Sequence, residues 1–253
     1  MMERLSVLKR SEDIKQLISY PSLEDSIQED RFKELESIGI TSILSHGRTR
    51  IGNLSVLGKG CVGLTITVVH RKKMRALKVR RTDANRDTMY NEVIMHSIAN
   101  TVNVGPILID FTENFILMEL INGINIYDWL CNKIRGKHNI SQVITSSLEQ
   151  CYALDQIKLD HGQLSYLKHH LIISSKNQPK IIDFESSSMR RRTANVSSLV
   201  HNFLWASSLY SKLGFELTYE KKLKILQLLK DYKSCKTRAR FVGILDFFNS
   251  QCD

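Results

Sequence analysis

The chain has 253 residues, of which 42% are hydrophobic, and it carries a formal net charge of +10. This length fits one large domain or two small ones, and the apolar fraction suffices for a sizeable core, which excludes a disordered chain. The positive charge indicates either an anionic partner, such as RNA or a nucleotide, or a solvated basic face.

Residues 1–45 are polar and have the pattern of short helices. Ser11 can cap a first helix, in which apolar residues recur at helical spacing at Ile14, Leu17 and Ile18. A later helix begins near Arg31 and ends at Gly39. This helical N-terminal extension is either a small docking domain or a cover over the first sheet. Its few large apolar residues favour the cover.

Three glycines with G-x-G-x-x-G spacing follow, at Gly58, Gly60 and Gly63. Residues 51–57 before them and 64–69 after them alternate and are rich in β-branched residues, which predicts a strand on each side. Because a second strand and not a helix follows the glycines, the pattern favours a hairpin over a dinucleotide fold. Glycines at such a turn let the backbone come close to an anion.

The next predicted strand, residues 74–79, places a single lysine, Lys78, among apolar residues. A lysine there is costly unless it meets a negative charge. A helix over residues 87–99 carries Glu92 in its middle. Strands at 107–111 and 115–120 then complete a predicted five-stranded antiparallel sheet.

The remaining chain is mostly helical, and the boundary is expected near residues 121–125. Two short strand-like runs, 171–173 and 180–185, surround a turn, and the second contains Asp183-Phe184. A strand end would hold Asp183 rigidly, which suits a metal ligand. Helices are predicted over residues 142–159, 196–213, 220–233 and 241–248.

Taken in order, these elements resemble the protein kinase-like superfamily over about residues 45–210. The segment His161-Gly162-x-Leu164-Ser165 is most similar to the RIO-type and related small atypical Ser/Thr kinases of archaea. The resemblance implies a bilobal α+β fold. A five-stranded N-lobe with one helix would occupy residues 46–121, and a reduced, mostly helical C-lobe residues 122–253.

The resemblance also implies an atypical Ser/Thr protein kinase that transfers the γ-phosphate of ATP to a protein hydroxyl, with Mg²⁺ held by Asp183. The glycine hairpin would cover the phosphates, Lys78 would contact them, and Glu92 would orient Lys78. The implied nucleotide-binding residues are Gly58, Lys59, Gly60, Cys61, Val62, Gly63, Ala76, Lys78, Glu92, Glu119 and Ile121.

The catalytic loop departs from the family pattern. Gln163 stands where these kinases have the catalytic aspartate, and a glutamine cannot accept a proton at neutral pH. Asp160 is either the base or a structural cap of the loop. Two functions therefore stay open: a slow kinase, autophosphorylating or acting mainly as an ATPase, and a nucleotide-binding pseudokinase scaffold associated with RNA or ribosomal particles.

The roles of other positions near these motifs stay open. Glu185 replaces the glycine of Asp-Phe-Gly and is either a second metal carboxylate or a solvated side chain. Lys168, or in a shifted match His169 or His170, stands where the family has a magnesium-binding asparagine. His161 either orders the loop by bonding the backbone near Asp183 or is exposed. Arg190-Arg191-Arg192 either binds phosphate or is a solvated turn.

Five scattered cysteines without a C-x-x-C pair indicate reduced thiols in a cytoplasmic protein and no zinc site. No apolar stretch resembles a signal peptide or is long enough to span a bilayer. We therefore expect a monomer without membrane contact, a protein substrate, and RNA or another polyanion as a partner of the basic surface.

Overall fold

The computed structural model of the chain describes residues 4–6, 11–131, 137–206, 212–215 and 217–252. The chain is α+β and divides into two units. The first unit consists of Met1–Ile94 and Pro106–Leu120, and the second of Met95–Gly105 and Ile121–Asp253. In the described ranges, no helix has the length and apolar content required to cross a membrane.

The first unit combines two helices with nine strands in its described part. The helices are α1 (Glu12–Ile18) and α2 (Asp25–Ser37), and the strands are β1 (Arg4–Ser6), β2 (Ile40–Leu44), β3 (Thr49–Ile51), β4 (Leu54–Val56), β5 (Gly58–Lys59), β6 (Gly63–His70), β7 (Lys73–Arg80), β8 (Leu108–Phe111) and β9 (Phe115–Glu119). Helix α3 (Tyr90–Asn100) begins in this unit and ends in the second.

The main sheet is antiparallel, in the order β1-β2-β6-β7-β9-β8, and the short strand β5 pairs with β6 beside this path. The predicted antiparallel character is confirmed, but the predicted count of five strands is wrong. The additional strands include β2, which lies in the stretch for which the sequence predicted helices alone. A β-branched run after Gly39, from Ile40 to Ile43, is the signal for β2, because such residues favour strands.

The predicted single strand over residues 51–57 is also wrong. Strands β3 and β4 form their own antiparallel hairpin, in which Ile51 pairs with Leu54. Gly52 in its turn has a φ of +55°, a left-handed conformation that glycine adopts without strain. The chain therefore reverses once before it reaches the glycine hairpin.

Helices α1 and α2 pack in one core with the main sheet. This core brings together buried residues from the helices and strands, among them Ile14, Phe32, Leu64, Leu77 and Leu117. The opposite face of the sheet is covered at Ile116 by Met89 and Val93, which lie at the start of α3. The N-terminal helices therefore cover the sheet, the interpretation that the sequence favoured.

A buried arginine ties α2 to the strands. The Arg31 guanidinium donates to the backbone oxygens of Ile18 and Arg80 and to the side-chain oxygen of Asn114. Burial, reinforced by the charge of Arg80, lowers the pKa of Arg31 to about 10. Because a buried cation without acceptors is costly, α2 is held at the position where these three acceptors reach Arg31.

The second unit is mainly helical. Its elements are β10 (Gly123–Asn125), α4 (Ile126–Cys131), α5 (Lys137–Gln156), α6 (Leu167–His170), β11 (Leu171–Ser174), β12 (Pro179–Ile181), α7 (Asn195–Trp205), α8 (Tyr219–Ser234) and α9 (Arg238–Cys252). The predicted helix over 196–213 corresponds to α7, and residues 207–211 of that prediction lie outside the described residues. One core holds these elements, with Trp129, Leu148 and Phe203 fully buried in it.

The small sheet β10-β11-β12 positions the segment around Asp183. Strand β12 ends at Ile181, so Asp183 lies two residues beyond the strand and not inside the predicted strand 180–185. Its φ of +71° is left-handed, which is unusual for an aspartate. His169 and His170 lie in the one-turn helix α6, which ends just before β11.

Candidate functional site

The glycine hairpin is formed by β5 and β6. Gly58 pairs with Thr65, and the Gly60 N–H donates to the Gly63 carbonyl at 2.8 Å, which closes a turn that contains Cys61 and Val62. Cys61 is exposed, whereas Val62 is buried.

Gly63 is required by packing. A Cβ at this position would lie 2.8 Å from the Val79 carbonyl oxygen and 3.3 Å from the methylene carbons of Lys78. Contacts below about 3.0 Å force a neighbouring group to shift, and the backbone of the adjacent strand cannot shift cheaply. Gly63 therefore makes room for the Lys78 side chain.

Gly58 and Gly60 are not required by packing. A Cβ on Gly58 would meet nothing within 4 Å, and one on Gly60 would meet only the Gly63 carbonyl oxygen at 3.5 Å. Neither residue is among those with a positive φ. What these two glycines provide is backbone that a ligand can approach without a side chain in the way. Lys59 between them donates to the Tyr20 hydroxyl.

Lys78 and Glu92 form a buried ion pair. Lys78 lies on β7 between Thr65 of β6 and Ile116 of β9, and its ammonium contacts the two Glu92 carboxylate oxygens at 2.8 and 3.0 Å. The side chains are 7% and 3% exposed. A buried ion pair is rarely more stabilising than an apolar pair of the same volume. Stability alone therefore does not explain why these charges are there.

The other residues that the resemblance assigned to the nucleotide lie at strand positions or beside them. Ala76 is buried on β7, two residues before Lys78 and so on the same face of the strand. Glu119 is the last residue of β9, and its carboxylate accepts from the Ile107 N–H at 3.2 Å. Ile121 is half-buried at the start of the second stretch of the second unit.

His161 orders the loop before Asp183. Its ring Nε2 donates to the Ile182 carbonyl at 3.1 Å, and its backbone N–H donates to the Asn195 side-chain oxygen at 2.9 Å. The ring packs against Phe184, with 5.3 Å between ring centroids. Burial, with a smaller effect of His170, lowers the pKa of His161 to about 4, so the ring is neutral near pH 7. These contacts confirm the loop-ordering interpretation.

Asp183 and Glu185 bring two half-buried carboxylates together, with oxygens within 4.8 Å of each other. Nδ1 of His170 lies 3.7 Å from the Asp183 carboxylate, and burial lowers the pKa of His170 against the opposing effect of Asp183. Lys168 and His169 are exposed. Hard oxygen donors at this spacing fit Mg²⁺, and His170 is the buried candidate for the asparagine position.

The Asp160 carboxylate is held by two donors. Its carboxylate accepts from Nε of Arg191 at 3.0 Å and from the backbone N–H of Ala194, just before α7, at 3.2 Å. Its backbone pairs with Ser188. Since a helix start leaves N–H groups without acceptors, a carboxylate there is stabilising.

Gln163 carries a different kind of polar group. It is half-buried, and its side-chain oxygen is a buried atom without a hydrogen-bond partner among the described residues. A buried acceptor left unsatisfied costs about 1–3 kcal/mol. The position at which the resemblance expects the base therefore carries a neutral amide whose oxygen is shielded from solvent.

A buried network that the sequence patterns did not predict supports this loop. The Asn195 amide donates to the Asp155 carboxylate and the Leu159 carbonyl, and the Tyr232 hydroxyl donates to the same carboxylate at 2.9 Å. Burial raises the pKa of Asp155, against the opposing effect of these donors. Polar residues on the inward faces of amphipathic helices were the signal available in the sequence.

Comparisons with known proteins do not assign the chain to a family. No protein-family model matches it, and no curated protein is significantly similar to it in sequence. The residues and contacts described above are therefore the basis for a function.

Proposed function

We propose that this chain is an atypical Ser/Thr protein kinase that binds Mg-ATP and transfers the γ-phosphate to a protein hydroxyl, its own included, or to water. In this proposal the first unit corresponds to the kinase N-lobe and the second to the C-lobe. The observation that carries it is the buried Lys78–Glu92 pair on the strand next to a hairpin whose Gly58 and Gly60 the fold does not require.

A phosphate-binding role accounts for both features together. Glycines without a packing role let an anion approach the hairpin backbone without a side chain in the way, and an ammonium held by a carboxylate keeps one position. Lys78 would neutralise phosphate charge, and Glu92 would fix the Lys78 ammonium for that purpose. Because Lys78 is already ordered before binding, a nucleotide does not have to offset the conformational entropy of fixing this side chain.

Magnesium would be held by Asp183, with Glu185 as a second carboxylate donor. When bound, the ion would neutralise charge on the phosphates. The left-handed backbone at Asp183 and the His161 contact to the Ile182 carbonyl fix the direction of this segment. His161 therefore acts as a positioning residue for Asp183.

Gln163 stands at the position of the base, but its side-chain oxygen is enclosed in the protein and an amide cannot take a proton. Asp160 is engaged with Arg191 and the start of α7, so the cap and not the base is the role that its contacts support. Because phosphoryl transfer depends mainly on positioning and electrostatics, we expect slow transfer.

The test combines nucleotide binding with transfer from γ-labelled ATP, using the purified full chain. At about 100 times its dissociation constant, Mg-ATP should add about 2.7 kcal/mol of stability, or roughly 5–10 °C in melting temperature. Lys78→Met should abolish this shift, whereas Lys73→Met, an exposed lysine on the same strand, should retain it. A wild-type protein that Mg-ATP does not stabilise would contradict the proposal.

A second function is supported by the same loop: a pseudokinase scaffold that binds nucleotide without turnover and associates with RNA or ribosomal particles. The observation in its favour is the absence of a carboxylate at Gln163 together with the engagement of Asp160. Stabilisation by Mg-ATP without labelled product would select this function. Gain of transfer in Gln163→Asp would then show that the rest of the machinery is intact.

A further inference from the structure

The second unit contains a groove that the proposed function does not use. It has a volume of about 750 Å³ and is lined by residues of α7 and α8, among them Trp205, Leu226 and Leu229. Lys230 and Lys233 line the same groove. Among the described residues that line it, none is acidic. The lining combines apolar side chains with three serines, His201 and the two lysines, so the groove is partly apolar and carries positive charge.

Helix α8 continues this surface. Tyr219, Leu223, Leu226, Lys230 and Lys233 are separated by four, three, four and three residues, so they form one stripe along the helix. The three apolar members are 75%, 50% and 52% exposed. Scattered exposed apolar side chains are common, but a continuous stripe of them marks a binding surface.

The charges of this surface have one sign. Lys222 is exposed and lies by helical spacing on the same side of α8 as Leu226. The Arg192 guanidinium donates to the Lys233 carbonyl at 2.6 Å and so adds a cation near Lys233. The acidic residues of α8 lie elsewhere. Glu220 and Asp231 fall outside the stripe by helical spacing, and the Asp231 carboxylate accepts from Gln227.

The shape and chemistry favour a helix over a nucleic acid as the occupant. The exposed members of the stripe nearest the groove are aliphatic, and the Trp205 ring is already stacked on His201, with 5.4 Å between centroids and 17° between planes. A base stacks on exposed aromatic rings, and the stripe offers one of these, Tyr219 at its end, whereas its middle is aliphatic. The stripe spans about 20 Å, which equals roughly four turns of a partner helix.

We propose that the groove and stripe bind an acidic amphipathic helix of a partner protein. Its apolar face packs on Leu223 and Leu226, and its acidic end meets Lys230 and Lys233. Recognition of this kind uses apolar anchors at positions i, i+3 or i+4, and i+7, with charge setting the direction. The site lies wholly within the second unit and does not depend on nucleotide binding.

The test uses the full chain and a fluorescein-labelled 18-residue peptide with leucines at i, i+3, i+4 and i+7 and glutamates on the flanks. Fluorescence anisotropy measures binding. Leu226→Asp should weaken binding about tenfold or more, because it removes an apolar anchor. Lys230→Glu should weaken it about fivefold or more and reduce its salt dependence.

The matched control is Lys224→Glu, which makes the same charge change at an exposed position on the opposite side of α8 and should leave the affinity unchanged. All three positions are exposed, so the melting temperature and its response to Mg-ATP should match the wild type. This unchanged response separates failure of the docking site from failure of the kinase proposal.

Several results would overturn the proposal. They are no binding of the acidic peptide by the wild type, equal binding of a peptide with lysines in place of glutamates, and equal effects of Lys224→Glu and Lys230→Glu. Single-stranded oligo(U) serves as the competing probe. If it binds and Lys230→Glu weakens this binding while Leu226→Asp does not, the surface is a nucleic-acid site.

Discussion

Removal of one charge from the Lys78–Glu92 pair should destabilise the first unit far more than removal of both. Glu92→Leu leaves the Lys78 ammonium, which is 7% exposed, without the carboxylate that it contacts at 2.8 and 3.0 Å. Lys78→Met leaves the Glu92 carboxylate, which is 3% exposed, without the ammonium that it contacts. The double variant Lys78→Met/Glu92→Leu replaces both charges by apolar groups of similar size.

The magnitude follows from the contact distance and the burial. At about 3 Å and an effective dielectric constant of about 20, the attraction between the charges is about 5–6 kcal/mol. Most of this attraction offsets the cost of taking the two charges out of water. Removing one charge alone should therefore lower the free energy of unfolding by about 3–5 kcal/mol, whereas replacing both with apolar groups should leave it nearly unchanged. The two single variants together should lose about 6 kcal/mol or more that the double variant retains, and this difference is the coupling energy between the two positions.

Urea unfolding of the wild type, the two single variants and the double variant measures this coupling. We expect the double variant to unfold near the wild-type midpoint but to show no stabilisation by Mg-ATP. Additive losses, with the double variant as unstable as the sum of the singles, would refute the reasoning. So would a double variant that Mg-ATP still stabilises, because the pair would then have no role in binding.

The other predictions concern the hairpin, the loop and its supports. Gly63→Ala should cost about 1–3 kcal/mol because its methyl group would meet a backbone oxygen at 2.8 Å, whereas Gly60→Ala should leave urea stability within about 0.5 kcal/mol and weaken ATP binding. The pKa of His161 is lowered from 6.5 to about 4 in the folded chain. Between these two pH values the unfolded chain binds a proton at His161 that the folded chain does not, so the folded chain loses stability as the pH falls from 6.5 to about 4. The wild type should therefore lose about 3 kcal/mol more than His161→Asn between pH 7 and pH 4; parallel pH profiles would contradict this. Asp160→Asn should keep labelled-phosphate transfer, since an amide oxygen can still cap the helix, and a loss of a hundredfold would identify Asp160 as the base. Asn195→Ala should cost about 3 kcal/mol in urea, because it removes the side chain that pairs with the buried His161 N–H and Leu159 carbonyl, and one of the donors to the Asp155 carboxylate; a loss below about 1 kcal/mol would contradict the network.

The local features of the fold could be predicted from the sequence, because each of them depends on neighbouring residues. The alternation of residues 64–69 and 74–79 predicted β6 and β7, and the glycines between strands predicted a hairpin. The apolar spacing around Leu226 predicted α8 to within a residue at each end. One error arose where pairing is not local. Strand β2 pairs with β6, which lies more than 20 residues later, so its place in the sheet is decided by distant partners.

The same division applies to the candidate site. The residue types and order alone determined that Lys78 needs a negative partner and that Gln163 cannot act as a base. Only the tertiary structure decided that Asp160 meets Arg191 and the start of α7, and that Asn195 holds His161. A carboxylate serves as base or cap according to the donors around it, and those donors come from residues about 30 positions away, which spacing in the sequence does not encode.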